Sequence, residues 1–333
     1  MIKVITIFLI IAQPFLLINT RLPDFKGFAY ILDHFLLQEW YEINSWINGK
    51  NKANQSKSFK KLHRTFKQPN TYLSSILNPY YPIRNWTVKE PEITAVSAFI
   101  SDTFGDKTLY KKNPNEVLPI ASLTKLMTAV IVIENMNLND IITISPELVN
   151  SYIDNNEFRL GEKISVGNLL YIMLIKSSND AAITLAHSKN LPYQEFINLM
   201  NEKAKKLKMK NTYFTDPSGY DKNNISTASD LYKLAKYILR KHPLIFKITS
   251  IKETLAYSED KKISHYLNNT NKLLGKIPNI LGGKTGYTDN ARECMLLVVK
   301  KYDSELIFII LKSEDRLKEM KKLIDWINAA YKF

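Results

Sequence analysis

The stretch PIASLTKLMTAVIVIE, Pro119 to Glu134, places a serine and a lysine three residues apart at the start of an apolar run. Its apolar side chains cover every direction around a helical axis, which is typical of a buried helix; they are Leu123, Leu126, Met127, Val130, Ile131, Val132 and Ile133. Lys125 lies within this run and is therefore expected to be buried. Because an unpaired buried ammonium is costly and tends to lose its proton, Lys125 either has a structural partner or serves as a neutral base.

The S-x-x-K spacing alone carries little information, because the chain contains it three times, at Ser58–Lys61, Ser122–Lys125 and Ser258–Lys261. The first and last lie in polar, lysine-rich surroundings, whereas Ser122 opens the buried helix. Helical residues three apart share a face, so the Lys125 amine can reach the Ser122 hydroxyl. The positive field of the helix N-terminus disfavours a charged lysine and favours an anion near the serine. This arrangement predicts that Ser122 is a nucleophile activated by Lys125.

Two further motifs follow along the chain. Ser177-Ser178-Asn179 lies between two apolar helical runs, where a hydroxyl and a carboxamide can relay a proton and hold a peptide group. Taken alone it is an ordinary helix cap. Lys284-Thr285-Gly286 lies on a predicted strand, where the lysine and threonine can meet a carboxylate and the glycine lets substrate backbone approach. Taken alone it is a strand with a bend.

Strand patterns at both ends of the region after Pro91 enclose a helical middle. A hairpin is predicted around Phe104-Gly105-Asp106, and later strands at Gly282–Tyr287, Met295–Lys300 and Leu306–Leu311. The helices between them are predicted to be capped by Ser165 and Ser226, and a last helix runs from Ser313 to Ala330. This order predicts an α+β fold, with a mostly antiparallel sheet flanked by helices and an inserted helical lobe.

Composition narrows the class of protein. The 333 residues are 45% hydrophobic and 11% aromatic, which excludes a disordered chain. The net charge of +14 favours anionic partners such as lipid head groups, cell-wall polymers or nucleic acid. No nucleic-acid-binding motif accompanies the charge, so nucleic acid is not expected as a partner. The single cysteine, Cys294, excludes an internal disulfide.

The N-terminal quarter indicates export. Residues 1–20 combine a basic start with an apolar run at Val4–Ile18, the plan of a secretory signal or a retained anchor, and the sequence leaves both open. Residues 21–90 form an aromatic-rich and then basic segment in which Lys50–Lys67 carries only positive charges besides the titratable His63. A solvated linker is favoured there over a specific anion-binding patch. The catalytic domain is predicted at residues 91–333.

Together, S-x-x-K, S-x-N and K-T-G form the signature of penicillin-binding proteins and serine β-lactamases. From Pro91 onwards the chain resembles the low-molecular-mass penicillin-binding proteins, the D-alanyl-D-alanine carboxypeptidases of the S11 peptidase type. The resemblance rests on blocks that occur in the family's order: PIASLTKLMTA, KSSNDAA, DPSGYD followed by STASDL, NTNKLL and GGKTGYT. It implies a penicillin-binding-protein/β-lactamase-like fold, peptidoglycan stem peptides as substrate and β-lactam antibiotics as covalent inhibitors.

The resemblance also implies a role for each site residue. Ser122 attacks the bond between two D-alanines, Lys125 takes its proton and Ser177 passes a proton to the leaving amine. Substrate is bound by Asn179, which holds its peptide group, by Lys284 and Thr285, which receive its carboxylate, and by Gly286. The backbone N–H groups of Ser122 and Tyr287 form the oxyanion hole. Water then hydrolyses the acyl-enzyme, and no metal or cofactor is expected.

The sequence departs from the family pattern at Thr270, and particular residues bear on the alternative functions. Thr270 stands where some members place a carboxylate-binding arginine, which leaves Lys284 with more of that work. Glu195-Phe196-Ile197-Asn198 lacks the spacing of a class A β-lactamase's deacylating motif. A D,D-endopeptidase that cuts cross-links uses the same residues and stays open, as does a non-catalytic wall-binding relative. Since the last predicted helix ends close to Phe333, membrane attachment is expected to come from the N-terminus. The catalytic domain is expected to lie outside the cytoplasm.

Overall fold

The computed structural model describes residues 82–146, 148, 157–187, 192–302 and 304–333. The predicted signal or anchor at residues 1–20 and nearly all of the segment at residues 21–90 lie outside the described residues. The domain boundary at Pro91 stays a prediction.

The strands in chain order are β1 (Ile83–Arg84), β2 (Ser97–Asp102), β3 (Thr108–Lys112), β4 (Leu118–Pro119), β5 (Ile141–Thr143), β6 (Lys163–Ser165), β7 (Ile225–Ser226), β8 (Glu253–Tyr257), β9 (Ser264–Asn268), β10 (Ile280–Thr288), β11 (Arg292–Lys301), β12 (Ser304–Ser313) and β13 (Tyr331–Lys332). The helices are α1 (Lys125–Asn135), α2 (Val166–Tyr171), α3 (Asn179–Ala186), α4 (Tyr193–Lys206), α5 (Ala228–Lys241), α6 (Leu244–Thr249) and α7 (Arg316–Ala330). A 3-10 turn, Ala121–Thr124, precedes α1, and a π-helical turn, Ile172–Lys176, follows α2.

The central sheet joins the two ends of the domain. Its five antiparallel strands lie in the order β10-β11-β12-β2-β3. In β11 and β12 both faces are buried, because α7 covers one face and the helical lobe covers the other. Such strands read as continuous apolar runs, for example MLLVV at Met295–Val299. The predicted α+β fold with an antiparallel sheet and an inserted helical lobe is confirmed.

The helical lobe is built around α1, the helix of the opening stretch. Every residue from Lys125 to Val132 is buried, as the all-round apolar pattern predicts. Helices α2, α3, α4, α5 and α6 pack around it in one continuous core. The helix is therefore packed on all sides, and the same core includes side chains of the central sheet.

Three predicted helix starts are shifted by local chemistry. Thr227, not Ser226, caps α5, because its side chain accepts the Asp230 N–H, while Ser226 ends β7. Asp315 caps α7 by accepting from the Lys318 N–H, so this helix begins later than Ser313. The helix predicted from Ser122 is a 3-10 turn until Lys125. Ser165 caps α2 as predicted, by accepting the Asn168 N–H.

The N-terminal edge of the described domain is tied to its C-terminal end. Strand β1 pairs antiparallel with β13. The Arg84 guanidinium lies over the rings of Trp86, Trp326 and Tyr331, with ring-centroid distances of 5.3, 4.4 and 5.3 Å. Among the described residues, no helix is both long enough and apolar enough to cross a membrane.

Candidate active site

Ser122 lies in the 3-10 turn that leads into α1, on a backbone that the surroundings hold in an unusual conformation. The preceding residue, Ala121, has a φ of 47°, which is rare for a residue with a Cβ and is held only where neighbours enforce it. Gly219 supplies part of that enforcement. Its φ is 82°, and a Cβ there would lie 2.0 Å from the Ala121 carbonyl oxygen, so only glycine allows this loop to pack behind the serine.

Lys125 is wholly buried and its amine makes three hydrogen bonds. The Nζ donates to Ser122 Oγ at 2.9 Å, to Asn179 Oδ1 at 2.7 Å and to the Ser218 carbonyl at 2.7 Å. None of these acceptors is a carboxylate, so burial lowers the pKa of Lys125 to about 7, although the Asp216 carboxylate acts in the opposite direction. A large fraction of the amine is therefore neutral at pH 7 and can accept the proton of the Ser122 hydroxyl.

Ser177-Ser178-Asn179 forms the junction between the π-helical turn and α3, as the sequence predicts. Ser177 has a φ of 66°, a left-handed conformation that ends the π-helical turn before α3 begins. Ser178 is the helix cap, since its side chain accepts the Ala181 N–H. Cap and site functions therefore fall on neighbouring residues: Ser178 holds α3, while Ser177 and Asn179 reach the two lysines.

Strand β10 supplies the second buried lysine. Lys284 Nζ donates to Ser177 Oγ at 2.7 Å and to the Thr285 carbonyl at 2.9 Å. Burial, followed by the positive charges of Lys125 and Arg316, holds the pKa of Lys284 well below its ordinary value. The Thr285 hydroxyl lies 2.6 Å from the hydroxyl of Thr270, the residue at the position where some family members have an arginine. We call Thr270 and Thr285 the hydroxyl pair.

Within the described sheet, β10 is an edge strand, and its outer side faces the serine turn. The Gly283 N–H donates outwards to Thr249 Oγ1 rather than to β11. Since N–H groups alternate sides along a strand, the N–H groups of Thr285 and Tyr287 point to the same outer side. The Tyr287 N–H therefore points to this outer side, and the Tyr287 side chain is exposed. Its place in an oxyanion hole stays a prediction.

Gly286 has a different neighbour from the one that sequence reasoning assigned. A Cβ at this position would lie 3.0 Å from the Ser122 backbone nitrogen and 3.1 Å from both the Ala121 Cβ and the Ile120 carbonyl oxygen. The missing side chain therefore makes room for the serine turn itself. Its immediate effect is to bring strand and nucleophile together.

Sequence reasoning on single residues missed two supports of the site. The Ser218 carbonyl, an acceptor for Lys125, sits in a loop that Asp216 organises by accepting the N–H groups of Ser218, Gly219 and Asp221 at 2.6, 2.7 and 2.9 Å. The DPSGYD block contains this loop, but it was recognised only as part of the family resemblance. The other is Arg316 at the start of α7, which donates to the Gly286 carbonyl at 2.8 Å; no local pattern marks it.

A cleft of about 520 Å³ opens beside this cluster. One wall is the Ser177–Asn179 junction and the other is β9. His265 on β9 is fixed by Glu162, with Nε2 and Oε1 2.6 Å apart. Within the described residues, no group of three or more His, Cys, Asp or Glu side chains is placed to hold a metal ion.

A serine hydroxyl bonded to a buried amine, a second lysine beside a serine, and outward N–H groups on an edge strand define a site for acyl transfer to serine. A family model described as D-alanyl-D-alanine carboxypeptidase, peptidase S11, matches residues 84–315. The chain belongs to this family, as the resemblance predicted, and is a serine-type enzyme of it.

Relatives and solved structures agree with this assignment. The chain is 37% identical to a D-alanyl-D-alanine endopeptidase of Escherichia coli K12, over 63% of this chain and 69% of the relative. It is 32% identical to D-alanyl-D-alanine carboxypeptidase DacF of Bacillus subtilis 168, over 71% of this chain and 63% of the relative. Penicillin-binding protein D2 of Listeria monocytogenes, solved in a cefotaxime-bound form, has a TM-score of 0.63 at 30% identity, covering 72% of this chain and 99% of that one.

Proposed function

We propose that this chain removes the terminal D-alanine from peptidoglycan stem peptides through an acyl-enzyme on Ser122. The observation that carries the proposal is the Lys125 amine, which is fully buried, lies 2.9 Å from Ser122 Oγ and has a pKa of about 7. A base of this kind, by accepting the proton, makes an alcohol a nucleophile at neutral pH.

Acylation follows from the positions of the two lysines and the edge strand. Ser122 Oγ attacks the carbonyl between the D-alanines while Lys125 Nζ takes the hydroxyl proton. The negative charge on the carbonyl oxygen is stabilised by the Ser122 and Tyr287 N–H groups. The C–N bond then breaks, and the leaving amine receives, through the Ser177 hydroxyl, the proton that Lys125 took from Ser122. Water then attacks the ester carbonyl and gives a proton to the neutral Lys125 amine. The bond to Ser122 Oγ breaks, Lys125 returns this proton to Ser122 Oγ, and the acyl group leaves as a carboxylic acid.

Substrate binding uses the remaining residues. The terminal carboxylate lies against Lys284 and the hydroxyl of Thr285, where a charge-assisted hydrogen bond forms. Burial and the nearby positive charges lower the pKa of Lys284. A bound carboxylate would raise this pKa, because an adjacent negative charge favours the protonated amine. Asn179 holds the peptide group on the acyl side, next to the cleft formed with β9.

Labelling with a fluorescent penicillin tests the nucleophile. Wild type is expected to become covalently labelled, and Ser122→Ala to lose the label while keeping its thermal melting temperature. Ser258→Ala is the matched control, since Ser258 belongs to another S-x-x-K match and should label like wild type. Labelling of Ser122→Ala at the wild-type level would assign the wrong serine. Absence of label from wild type would favour the non-catalytic, wall-binding alternative.

Endopeptidase activity on peptide cross-links is the second candidate, and the names of some relatives are consistent with it. Three relatives named D-alanyl-D-alanine endopeptidase, from Escherichia coli, Pseudomonas aeruginosa and Haemophilus influenzae, are 37%, 34% and 36% identical to the chain. The same residues would act, and only the leaving group differs. Release of free D-alanine from a monomeric pentapeptide identifies a carboxypeptidase, whereas conversion of a cross-linked dimer to monomers identifies an endopeptidase.

Location and partners complete the proposal. The enzyme acts outside the cytoplasm, attached to the membrane by residues 1–20 or released after their cleavage. Residues 21–90 tether the catalytic domain at residues 91–333 near an anionic membrane or wall surface. β-Lactams acylate Ser122; in support, the Listeria penicillin-binding protein D2 was also solved in an ampicillin-bound form.

A further inference from the structure

Four large apolar side chains at one end of the central sheet are exposed. Their exposed fractions are 82% for Trp86, 64% for Phe104, 64% for Tyr302 and 63% for Ile83. Phe104 lies in the turn between β2 and β3, and Tyr302 follows β11 directly. Side chains of this size that gather at one place on a surface mark an interaction site, whereas singly scattered ones need no explanation. We call these four residues, with the partly buried Phe333, the aromatic end.

The aromatic end is continuous. Arg84 lies over Trp86 and Tyr331, and ring contacts continue from Tyr331 to Phe333 and from Phe333 to Tyr302, with centroid distances of 6.5 and 6.4 Å. Ile83 pairs with Lys332, the residue before Phe333.

Phe104 joins the same end through its neighbours. The Thr103 N–H donates to the Glu305 carbonyl at the start of β12, which brings the β2–β3 turn to the end of the sheet that holds Tyr302. On the other side of the turn, Lys107 Nζ donates to the Pro82 carbonyl at 2.6 Å, next to Ile83.

Lysine side chains border the aromatic end. Lys301 Nζ lies 5.5 Å from the ring centroid of Tyr302 and 5.8 Å from that of Phe333. Lys107 and Lys332 adjoin Pro82 and Ile83. The described acidic side chains at this end have partners within the domain: Glu90 is 3.9 Å from Arg84, Asp106 pairs with Lys236, Asp102 accepts from the Gly105 N–H and the Ser304 hydroxyl, and Glu305 accepts from the Thr103 hydroxyl. Asp303 lies outside the described residues.

The position of the aromatic end points to a lipid surface as its occupant. The chain reaches the domain at Pro82, within this end, after 81 residues that contain the apolar run Val4–Ile18 and the basic run Lys50–Lys67. At about 3.3 Å per residue, about 26 Å of strand separates Tyr302 from Cys294, the partner of Gly286 in the active site. A bilayer at this end would therefore leave the active-site cleft open to the wall.

We propose that the aromatic end is a second membrane contact, which lies in the head-group layer of an anionic bilayer and turns the active-site cleft away from it. Trp and Tyr have amphipathic rings that favour this layer, and the lysines are attracted by anionic lipids. The apolar side chains enter only as far as the boundary with the acyl chains. The proposal concerns a surface of the catalytic domain, and it does not depend on the reaction that the domain performs.

Site-specific fluorescence on the full chain tests the proposal. Cys294 is fully buried, so a thiol-reactive fluorophore can be placed at Trp86→Cys or at Tyr302→Cys, with unsubstituted protein as the labelling control. Tyr213→Cys is the matched control, because Tyr213 is 55% exposed and adjoins Ile225, the partner of Pro119 on the active-site side. Each protein is mixed with phosphatidylcholine vesicles, with or without phosphatidylglycerol, that carry a head-group quencher.

The expected result is quenching at positions 86 and 302 with phosphatidylglycerol vesicles, weaker quenching with phosphatidylcholine alone, and none at position 213. The double variant Trp86→Ser/Tyr302→Ser should partition about tenfold less into the anionic vesicles, because two aromatic side chains no longer leave water. A thermal melt of each variant checks folding independently of activity.

Several results would overturn the proposal. They are failure of the full chain to bind the vesicles, equal quenching at all three positions, or bound protein that is unquenched at positions 86 and 302. Shielding of those two labels in the absence of vesicles would instead assign the aromatic end to contact with a second copy of the chain.

Discussion

The first turn of α1 and the strand β10 each hold a buried lysine that donates to hydroxyl, amide or backbone carbonyl oxygens, yet the two lysines differ in what surrounds them. Lys125 is bonded to three oxygens from three separate parts of the chain, and its pKa falls to about 7. Lys284 is bonded to two oxygens and also lies near the charges of Lys125 and Arg316. The first environment suits a base, whereas the second suits the binding of an anion.

The largest expected effect comes from removing the amine of α1. Lys125→Met keeps the length of the side chain but leaves Ser122 without a base, so acylation by a fluorescent penicillin should slow by about 10³-fold or more. Lys203→Met is the matched control, because Lys203 is partly buried but pairs with Glu134 far from the serine, and its variant should acylate at the wild-type rate. A loss of less than about tenfold in Lys125→Met would end the distinction between the two lysines.

A pH profile tests for a base of this pKa without mutation. Only the neutral amine accepts a proton, so lowering the pH below the pKa of about 7 should cut the acylation rate about tenfold per unit, while the rate levels off at higher pH. From pH 5 to pH 8 the rate should therefore rise by about 100-fold. The second-order acylation rate constant of a β-lactam measures this. A rate that stays flat across this range would mean that another group is the base.

The carboxylate contact should be smaller and selective. Lys284→Met is expected to lower kcat/KM for a peptide that ends in a free D-Ala-D-Ala carboxylate by about 10- to 150-fold, the equivalent of about 1.5 to 3 kcal/mol. The amidated peptide lacks the charge and should lose much less. If both peptides lose activity equally, Lys284 acts on the structure or the chemistry and not on the carboxylate.

The smallest effect is expected at the hydroxyl pair, Thr270 and Thr285. Thr270→Val removes the partner of the Thr285 hydroxyl, 2.6 Å away, and one hydrogen bond is worth about 1 kcal/mol. KM should rise about fivefold with kcat nearly unchanged. Thr108→Val on the exposed start of β3 should change neither constant. A large fall in kcat for Thr270→Val would place this pair in the chemical step.

The sequence predicted the local chemistry of the site better than its three-dimensional supports. Burial of Lys125, the strand that carries Lys284 and the junction at Ser177 all follow from short-range patterns, because helix and strand periodicity report which face is buried. The contacts of the Ser218 carbonyl and Arg316 join segments far apart in the chain, and periodicity does not encode such contacts. The packing of Gly286 against the serine turn is of the same kind.

Among the elements that the sequence predicted, the errors lie at helix starts, whereas the β5–β6 and β8–β9 pairs and α6 were not predicted. Ser226 and Thr227 are equally good caps by residue type, and the choice between them depends on the short β7 strand, which ends at Ser226. The first turn of α1 was expected to be α-helical, but packing against Gly219 and Gly286 holds it in a 3-10 conformation. Tertiary contacts thus decide the few residues at which local preferences are nearly equal.

The central sheet also sets the order in which the enzyme becomes active. Thr103, next to β2, and Glu305 in β12 meet although they are 202 positions apart, so the central sheet closes through contacts between its first and last strands in chain order. Contacts of such high sequence separation form slowly. The N-terminal part of a chain emerges first, and Ser122 then has neither Lys284 nor the edge strand that carries the Tyr287 N–H. Acylating power therefore arises only when synthesis of the domain is almost finished, which leaves the unfinished chain chemically inert.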